Sequence, residues 1–288
     1  MNKGFTLIEI LVVIVVIGVL SAFILVGMNS ISSSANIAKG QAFSNSLRNS
    51  LLLNLVSEYK LDGSFNDSWG TNNGTNNGAT LATSGCVKGS CYYFDGGDYI
   101  YLGNATTFDN DIGSAFTIST WSKHSEASTL QEIFGKGYLY TVSKGIDLRR
   151  NGNDYFYVFI GNGTTIDAVI SNSTVSTNTW YHVVAIYNGI TARMYVNGVL
   201  QTDTATVAAP LQWYDSGTSK TPSLGFNTAG VLTGYIDEVQ IYNQPLSTSQ
   251  IQENYYSGIN RLLSSNSIEI GEFVDKISQL RNSISVNP

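Results

Sequence analysis

The sequence predicts a mostly β protein, a two-sheet sandwich carried on a long N-terminal α-helix and followed by short C-terminal helices. Three observations predict it. Residues Phe5 to Met28 are apolar apart from Thr6, Glu9, Ser21 and two glycines, and a helical stripe continues beyond them. From about Glu58 to Tyr242, short strand-like runs alternate with Gly, Asn and Asp turns. After Ile259 the apolar residues return to helical spacing. At 288 residues, one large domain plus an appendage fits the length best.

Composition narrows the setting. Charged residues are 12% of the chain, about half the ~25% of typical soluble proteins. Asn, Ser, Thr and Gly take their place, which suits an extracytoplasmic β-protein. A net charge of −6 with no Lys/Arg block argues against a nucleic-acid surface, which needs clustered cations to displace counterions from phosphates. Cys86 and Cys91 are the only cysteines, and the VKGS between them makes a hairpin loop that sets the thiols opposite each other. They read as a disulfide and hence an oxidising compartment, the other reading being two reduced structural cysteines. Two cysteines alone do not hold structural zinc.

As a helix, the apolar segment spans about 36 Å at ~1.5 Å per residue, enough to cross a ~30 Å hydrocarbon core. Lys3 is the only early positive charge, so the leader stays cytoplasmic and the rest is exported. A secretory signal peptide has a shorter apolar core and a small-residue cleavage site, whereas SAFILVG continues the apolar run. Within this run Glu9 costs up to ~2.5–3.5 kcal/mol at a bilayer centre. The start of the helix dipole offsets only ~0.3–1 kcal/mol of that. The run Lys3-Gly4-Phe5-Thr6-Leu7-Ile8-Glu9 closely resembles the processing site of type IV pilins and of the pseudopilins of type II secretion. The resemblance implies that a prepilin peptidase cuts after Gly4, that the new amine on Phe5 is N-methylated, and that Glu9 pairs with the Phe5 amine of a neighbouring subunit. A buried pair stripped of one partner costs ~3–5 kcal/mol, so such a pair penalises misregistered packing. The chain departs from many pilins in having no proline in this segment, leaving Gly18 and Gly27 as its flexible points.

Past Met28, Ile31, Ala35, Ala38 and Ala42 recur at spacings of three and four, and Leu47, Leu51 and Leu55 continue the stripe. Residues 5–56 therefore read as one membrane and stalk helix behind a leader of residues 1–4. In the head, CYYF, DYIYL, AFTISTWS, DYFYVFI, TIDAVIS, WYHVVAIYN and ARMYV read as strands, and Asn197-Gly198 as a tight type I′ hairpin turn. Ser247 with Gln250 forms a capping box, and Leu246 with Ile251 a hydrophobic staple. The ordered segments YFDGGDYI, FTISTW, NTWYHVVAIYNG, MYVNG and GYIDEVQIYNQPLSTSQI resemble a laminin-G-like, concanavalin A-like jelly roll over roughly residues 57–257. The resemblance implies binding of glycans or proteins, with calcium in some members and glycosidase activity in others.

No catalytic residue is evident. Asp237 and Glu238 are adjacent, so on a regular strand they point to opposite faces. The Glu-x-Asp-x-x-Glu motif of the related β-glucanases is absent, and His124 and His182 show no Ser or Cys nucleophile nearby. His182 reads as a packed sheet residue. For Ca2+, the loop FNDSWGTNNGTNNG offers Asp67, Asn72, Asn73 and Asn77, and the resemblance brings it toward Asp237. The alternative is that the Asn-Gly pairs serve turns and Asp237 accepts backbone N–H bonds. Trp69, Trp213 and Tyr214 are candidate aromatic platforms for sugars, while Trp121 and Trp180 are assigned to the core. Residues 258–288 form a tail of one or two amphipathic helices.

The expectation is a structural subunit: a pilin-like or pseudopilin chain, single-pass in the cytoplasmic membrane, with an exported head shown at the cell surface or on a pilus. Its partners are other pilin subunits, the prepilin peptidase, the membrane, and a glycan or surface-protein ligand; nucleic acid is not among them. The rival is a membrane-tethered glycosidase-like enzyme, which a same-face pair of carboxylates in a groove would favour. A DNA-uptake tip pilin needs a basic patch that the composition does not offer.

Overall fold

The computed structural model describes Ser46 and residues 49–286, apart from 105–107, 110–111, 113, 139–142, 209, 214–220 and 228–229. Gly4, Phe5, Glu9, the apolar segment and Tyr214 lie outside the described residues. Among those described, no helix is long and apolar enough to cross a membrane.

A helical turn ends at Leu52 and the chain turns into β1 (Leu55–Tyr59). The predicted helix thus stops short of residue 56. Leu55, which its spacing assigned to the helical stripe, opens a strand instead, because pairing with the last strand buries Leu55, Ser57 and Tyr59 in strict alternation.

The next strands are β2 (Gly74–Asn77), β3 (Thr80–Ala82), β4 (Cys91–Asp95), β5 (Tyr99–Leu102), β6 (Phe116–His124) and β7 (Gln131–Tyr138). Then come β8 (Lys144–Arg150), β9 (Phe156–Asn162), β10 (Ile166–Ile170), β11 (Trp180–Tyr187), β12 (Thr191–Val196) and β13 (Val199–Leu200). The last are β14 (Ala205–Thr206), β15 (Ser223–Leu224), β16 (Phe226–Asn227), β17 (Gly230–Val231) and β18 (Thr233–Tyr242). Among the described residues they form two large antiparallel sheets and the separate two-stranded ribbon β16-β17. One runs β13-β12-β11-β6-β18-β4-β3, with β1 on β18 and β14 on β12; the other runs β10-β9-β8-β7-β15-β5-β2.

The register explains the core. Ile100, Leu224, Phe134, Leu148, Val158 and Val169 are successive cross-strand partners in the second sheet, and all six are buried in the inter-sheet cluster. From the first sheet, Phe116, Ile118, Val183, Ala185, Ile236 and Ile241 meet them. This is the two-sheet jelly-roll sandwich expected from the alternation. At the predicted hairpin, Asn197 and Gly198 have φ of 52° and 75°, the two positive values a type I′ turn requires.

The helices follow. α1 (Thr248–Ser264) begins with the predicted capping box, Ser247 and Gln250 bonding reciprocally. It runs through residue 257, so the sandwich and the tail meet inside a helix and not at its edge. α2 is Ile270–Val286. Tyr255, Ile259, Leu262 and Leu280 cover Trp121, Trp180 and the Cys86–Cys91 pair on the outer face of the first sheet. Both tryptophans are buried as expected, but under the helices and not between the sheets, because Trp121 and Trp180 alternate away from Ile118 and Val183. Gly258 allows this contact: a Cβ there would collide with the Trp121 ring.

Candidate functional site

The Cys86–Cys91 disulfide is formed, with Cα atoms 5.5 Å apart. Its loop is tied to β18 by a buried carboxylate. Val87 N and Lys88 N donate to Asp237 Oδ2 at 2.8 and 3.0 Å, and Glu238 N donates to Oδ1 at 2.9 Å. A β-bulge between Asp237 and Gln240, with Glu238 at φ 47°, breaks the alternation. Glu238 therefore joins its neighbour at the loop, pairing with Lys88 Nζ at 3.1 Å and with Arg261 of α1 at 3.4 Å. The opposite-face expectation fails here because one residue in the left-handed region re-aims the side chain. Burial pushes the Asp237 carboxyl up to about 8, against the three N–H bonds that pull it down. Glu238 is also raised by burial, with Lys88 opposing.

These shifts set a pH dependence. Asp237 binds its proton more tightly folded than at its ordinary 3.8, so it contributes stability below that value and loses it as pH rises through about 8. Burial holds His124 and His182 down to about 3, so their contribution is present above 6.5 and is lost as pH falls. Above 6.5 the acids act unopposed by the histidines. Stability is expected to fall between pH 6.5 and 8 by up to about 1.4 kcal/mol per pH unit from Asp237, and the melting temperature with it. Thermal melts of Asp237→Asn should be shallower in that interval; an unchanged slope would remove Asp237 as its source.

Asp67 is used in the same way. Its Oδ1 accepts from Glu58 N, Trp69 N and Gly70 N at 3.0, 3.1 and 2.8 Å, and Oδ2 accepts from Asn72 N at 3.1 Å. Asn73 Oδ1 accepts from Asp67 N, and Asn72 Nδ2 donates to Ser57 Oγ. Asn77 lies elsewhere, opposite Tyr99 on the outer face of the second sheet, whereas Asp237 pairs with Trp121 on the outer face of the first. Asp67, Asn77 and Asp237 are therefore not brought together, and a donor set already facing N–H groups does not fit a cation. Among the described residues no group of three or more acidic, histidine or cysteine side chains is placed to hold a metal. Of the aromatic candidates, Trp69 is 49% exposed. Trp213 is half-buried beside Phe116 at 6.3 Å, with Lys136 Nζ 5.0 Å over its ring.

The structure also assembles groups that the sequence hides. Across the second sheet, Tyr101, Ser223, Gly135, Asp147, Phe159 and Ala168 are successive partners on the outer face. The adjoining row joins Glu132, Arg149 and Tyr157. Arg149 donates to Asp147 Oδ2 at 3.1 Å and lies 4.2 Å over the Phe159 ring. Glu132 is hydrogen-bonded to Asp147, and burial together with that neighbour's charge pushes its carboxyl well above the usual range, with Arg149 opposing. All three charged side chains are buried. Tyr157 stacks on Phe159 at 5.5 Å, and Tyr99 packs on Tyr101 at 4.8 Å.

A same-face carboxylate pair thus exists, but its geometry is not that of a glycosidase. Retaining enzymes hold their carboxyls ~5–5.5 Å apart, and inverting ones ~6.5–9.5 Å apart with a water between. Here the two are in direct hydrogen-bond contact, under cover and neutralised by a guanidinium. The histidines do have serine neighbours: Ser119 Oγ lies 2.8 Å from His182 Nε2 and Ser122 Oγ 3.3 Å from His124 Nε2. The expectation of no nearby serine fails because β-pairing joins Ser119 to the β11 face. His182 is nonetheless sealed between Trp121 and Tyr255, as a packed sheet residue.

The comparisons with known proteins agree with this architecture. Residues 94–252 match a family described as the concanavalin A-like lectin/glucanases superfamily, and residues 1–25 match the prokaryotic N-terminal methylation motif. Among solved structures, domain 4 of AbnA, a GH43 extracellular arabinanase from Geobacillus stearothermophilus in complex with arabinotriose, is similar at TM-score 0.57 and 22% identity. The similarity covers 69% of this chain and 97% of that one. The binding domain of Paraclostridial Mosquitocidal Protein 1 is similar at TM-score 0.57 and 16% identity, over 73% of this chain and 53% of that one. The receptor binding domain of botulinum neurotoxin C/D mosaic serotype follows at 0.55 and 15%, over 71% and 51%. The chain spans about half the length of these two toxin domains. Such identities show the fold alone. No curated protein matches the sequence.

Proposed function

The chain belongs to the concanavalin A-like lectin/glucanase superfamily and also carries a prokaryotic N-terminal methylation motif; from that pairing we propose that it is a type IV pilin-like or pseudopilin subunit displaying a recognition head. The observation that carries the reading is the methylation motif at residues 1–25 on the same chain as the sandwich. In this reading residues 1–4 are removed by the prepilin peptidase, Phe5 is methylated, and Glu9 pairs with the Phe5 amine of the adjacent subunit. The following apolar segment anchors the chain in the cytoplasmic membrane before assembly, and the head is exported to the surface. The head binds a glycan or a surface protein. Arabinotriose bound to domain 4 of AbnA supports the glycan side.

The enzyme reading is the weaker of the two, since among the described residues the carboxylate pairs brought together are engaged: Glu132 and Asp147 with each other and Arg149, Asp237 with three backbone N–H groups, and Glu238 with Lys88 and Arg261. The test is mechanical shearing of cells with and without their prepilin peptidase. The chain is expected in the sheared, sedimentable fraction only when the peptidase is present. Its release into the medium as a soluble species independent of the peptidase would overturn the proposal.

A further inference from the structure

A cavity of about 420 Å³ lies between the loop of residues 171–175, the Asn197 turn and α2, within the ~300–1,000 Å³ range of ligand pockets. Its walls are made of amides, hydroxyls, the Tyr181 ring and three valines, with no acidic or basic side chain. That lining excludes two ligand classes. Phosphate and sulfate call for Arg or Lys, and a divalent cation calls for carboxylates.

The polar groups are held in fixed orientations. Asn172 Oδ1 accepts from Thr202 N and Thr202 Oγ1 at 3.0 and 2.8 Å, and Asn197 Oδ1 accepts from His182 N at 3.0 Å. These bonds fix the orientation of both lining amides. The Tyr181 hydroxyl accepts from Ser176 N at 2.9 Å and retains its own proton to donate. Gln201 is locked by bonds from Asn172 N and to Val199 O, both 2.8 Å, and so stiffens the same wall. Opposite it, Gln279 of α2 is exposed and brings both an amide donor and an acceptor.

We propose that this cavity binds a neutral saccharide segment. The fixed amides and hydroxyls of the lining suit the hydroxyl and ring oxygens of a sugar, while Val196, Val199 and Tyr181 offer apolar surface to its C–H groups. The C-terminal helix is then a wall of the binding site as well as a cover for the sandwich. The assignment deepens the recognition role proposed above and rests on it.

The test is saturation-transfer NMR of the full-length chain in detergent, with cellotriose, maltotriose and N-acetylchitotriose as probes and a neutral tetrapeptide as a control. At least one trisaccharide is expected to bind saturably. Gln279→Ala should weaken it roughly three- to tenfold, as expected for one neutral hydrogen bond. Gln279→Trp, a filling change at an exposed position, should abolish it. Binding by none of the trisaccharides, binding of the peptide alone, or an unaltered Kd in Gln279→Trp would overturn the proposal. Filament incorporation of the same variants is scored separately and should match the unmodified chain, so a failure of sugar binding is distinct from a failure of assembly.

Discussion

Replacing Arg149 with methionine is expected to destabilise the head by about 3–5 kcal/mol at neutral pH, the usual consequence of stripping one partner from a buried ion pair. Arg149 and Asp147 are each 1% exposed and their contact is 3.1 Å. The guanidinium also lies over Phe159, so methionine retains bulk there but not charge. Without the cation, Glu132 loses the charge that opposes its raised carboxyl, and Asp147 loses its counter-charge. Groups raised in this way contribute stability at low pH and lose it as pH rises. The deficit should therefore be largest at pH 7 and shrink toward pH 4.5, in urea denaturation followed by tryptophan fluorescence. Glu132→Gln is the complementary variant. It mimics the protonated acid that burial already favours, and should be neutral or stabilising at pH 7. An Arg149→Met deficit that is small and the same at both pH values would show that the row contributes no electrostatic constraint.

That row illustrates where sequence reasoning stops. In DYFYVFI, the alternation of Phe156, Val158 and Ile160 with Tyr157 and Phe159 is legible as a strand with one buried face, and the structure uses it so. The partners of that strand are not legible. Glu132 and Asp147 lie on different strands, and only the β7–β8 register, shifted by a bulge between Glu132 and Phe134, places them together. Ser119 and His182 are likewise joined only by β6 lying beside β11. Glu238 fails for a local reason, since a single positive φ within a strand carries no signature in a Glu residue. By contrast the disulfide, the type I′ turn at Asn197-Gly198 and the capping box at Ser247 were legible, because each is fixed by residues a few positions apart. The end of the N-terminal helix lies between these cases. Leu55 continues a helical spacing, and it is the distant β18 that draws it into a ladder.

The second large effect concerns assembly. In the proposed filament, Glu9→Leu leaves the Phe5 amine of the adjacent subunit buried without its counter-charge, at about 3–5 kcal/mol per contact. Repeated at each subunit, that penalty should abolish incorporation into sheared filaments while membrane insertion and cleavage continue, because leucine is better tolerated in the bilayer than glutamate. Quantitative immunoblots of the sheared and membrane fractions distinguish the outcomes. Glu9→Asp, which keeps the charge on a shorter arm, should recover part of the assembly. Wild-type levels of Glu9→Leu in filaments would mean that the acid has no part in subunit pairing.

The most direct measurement is mass spectrometry of the N-terminal peptide from chains sheared off the cell surface. The expected peptide begins at N-methylated Phe5, on chains that also carry the sandwich. Surface chains that still begin at Met1, or that begin beyond the apolar segment, would contradict it.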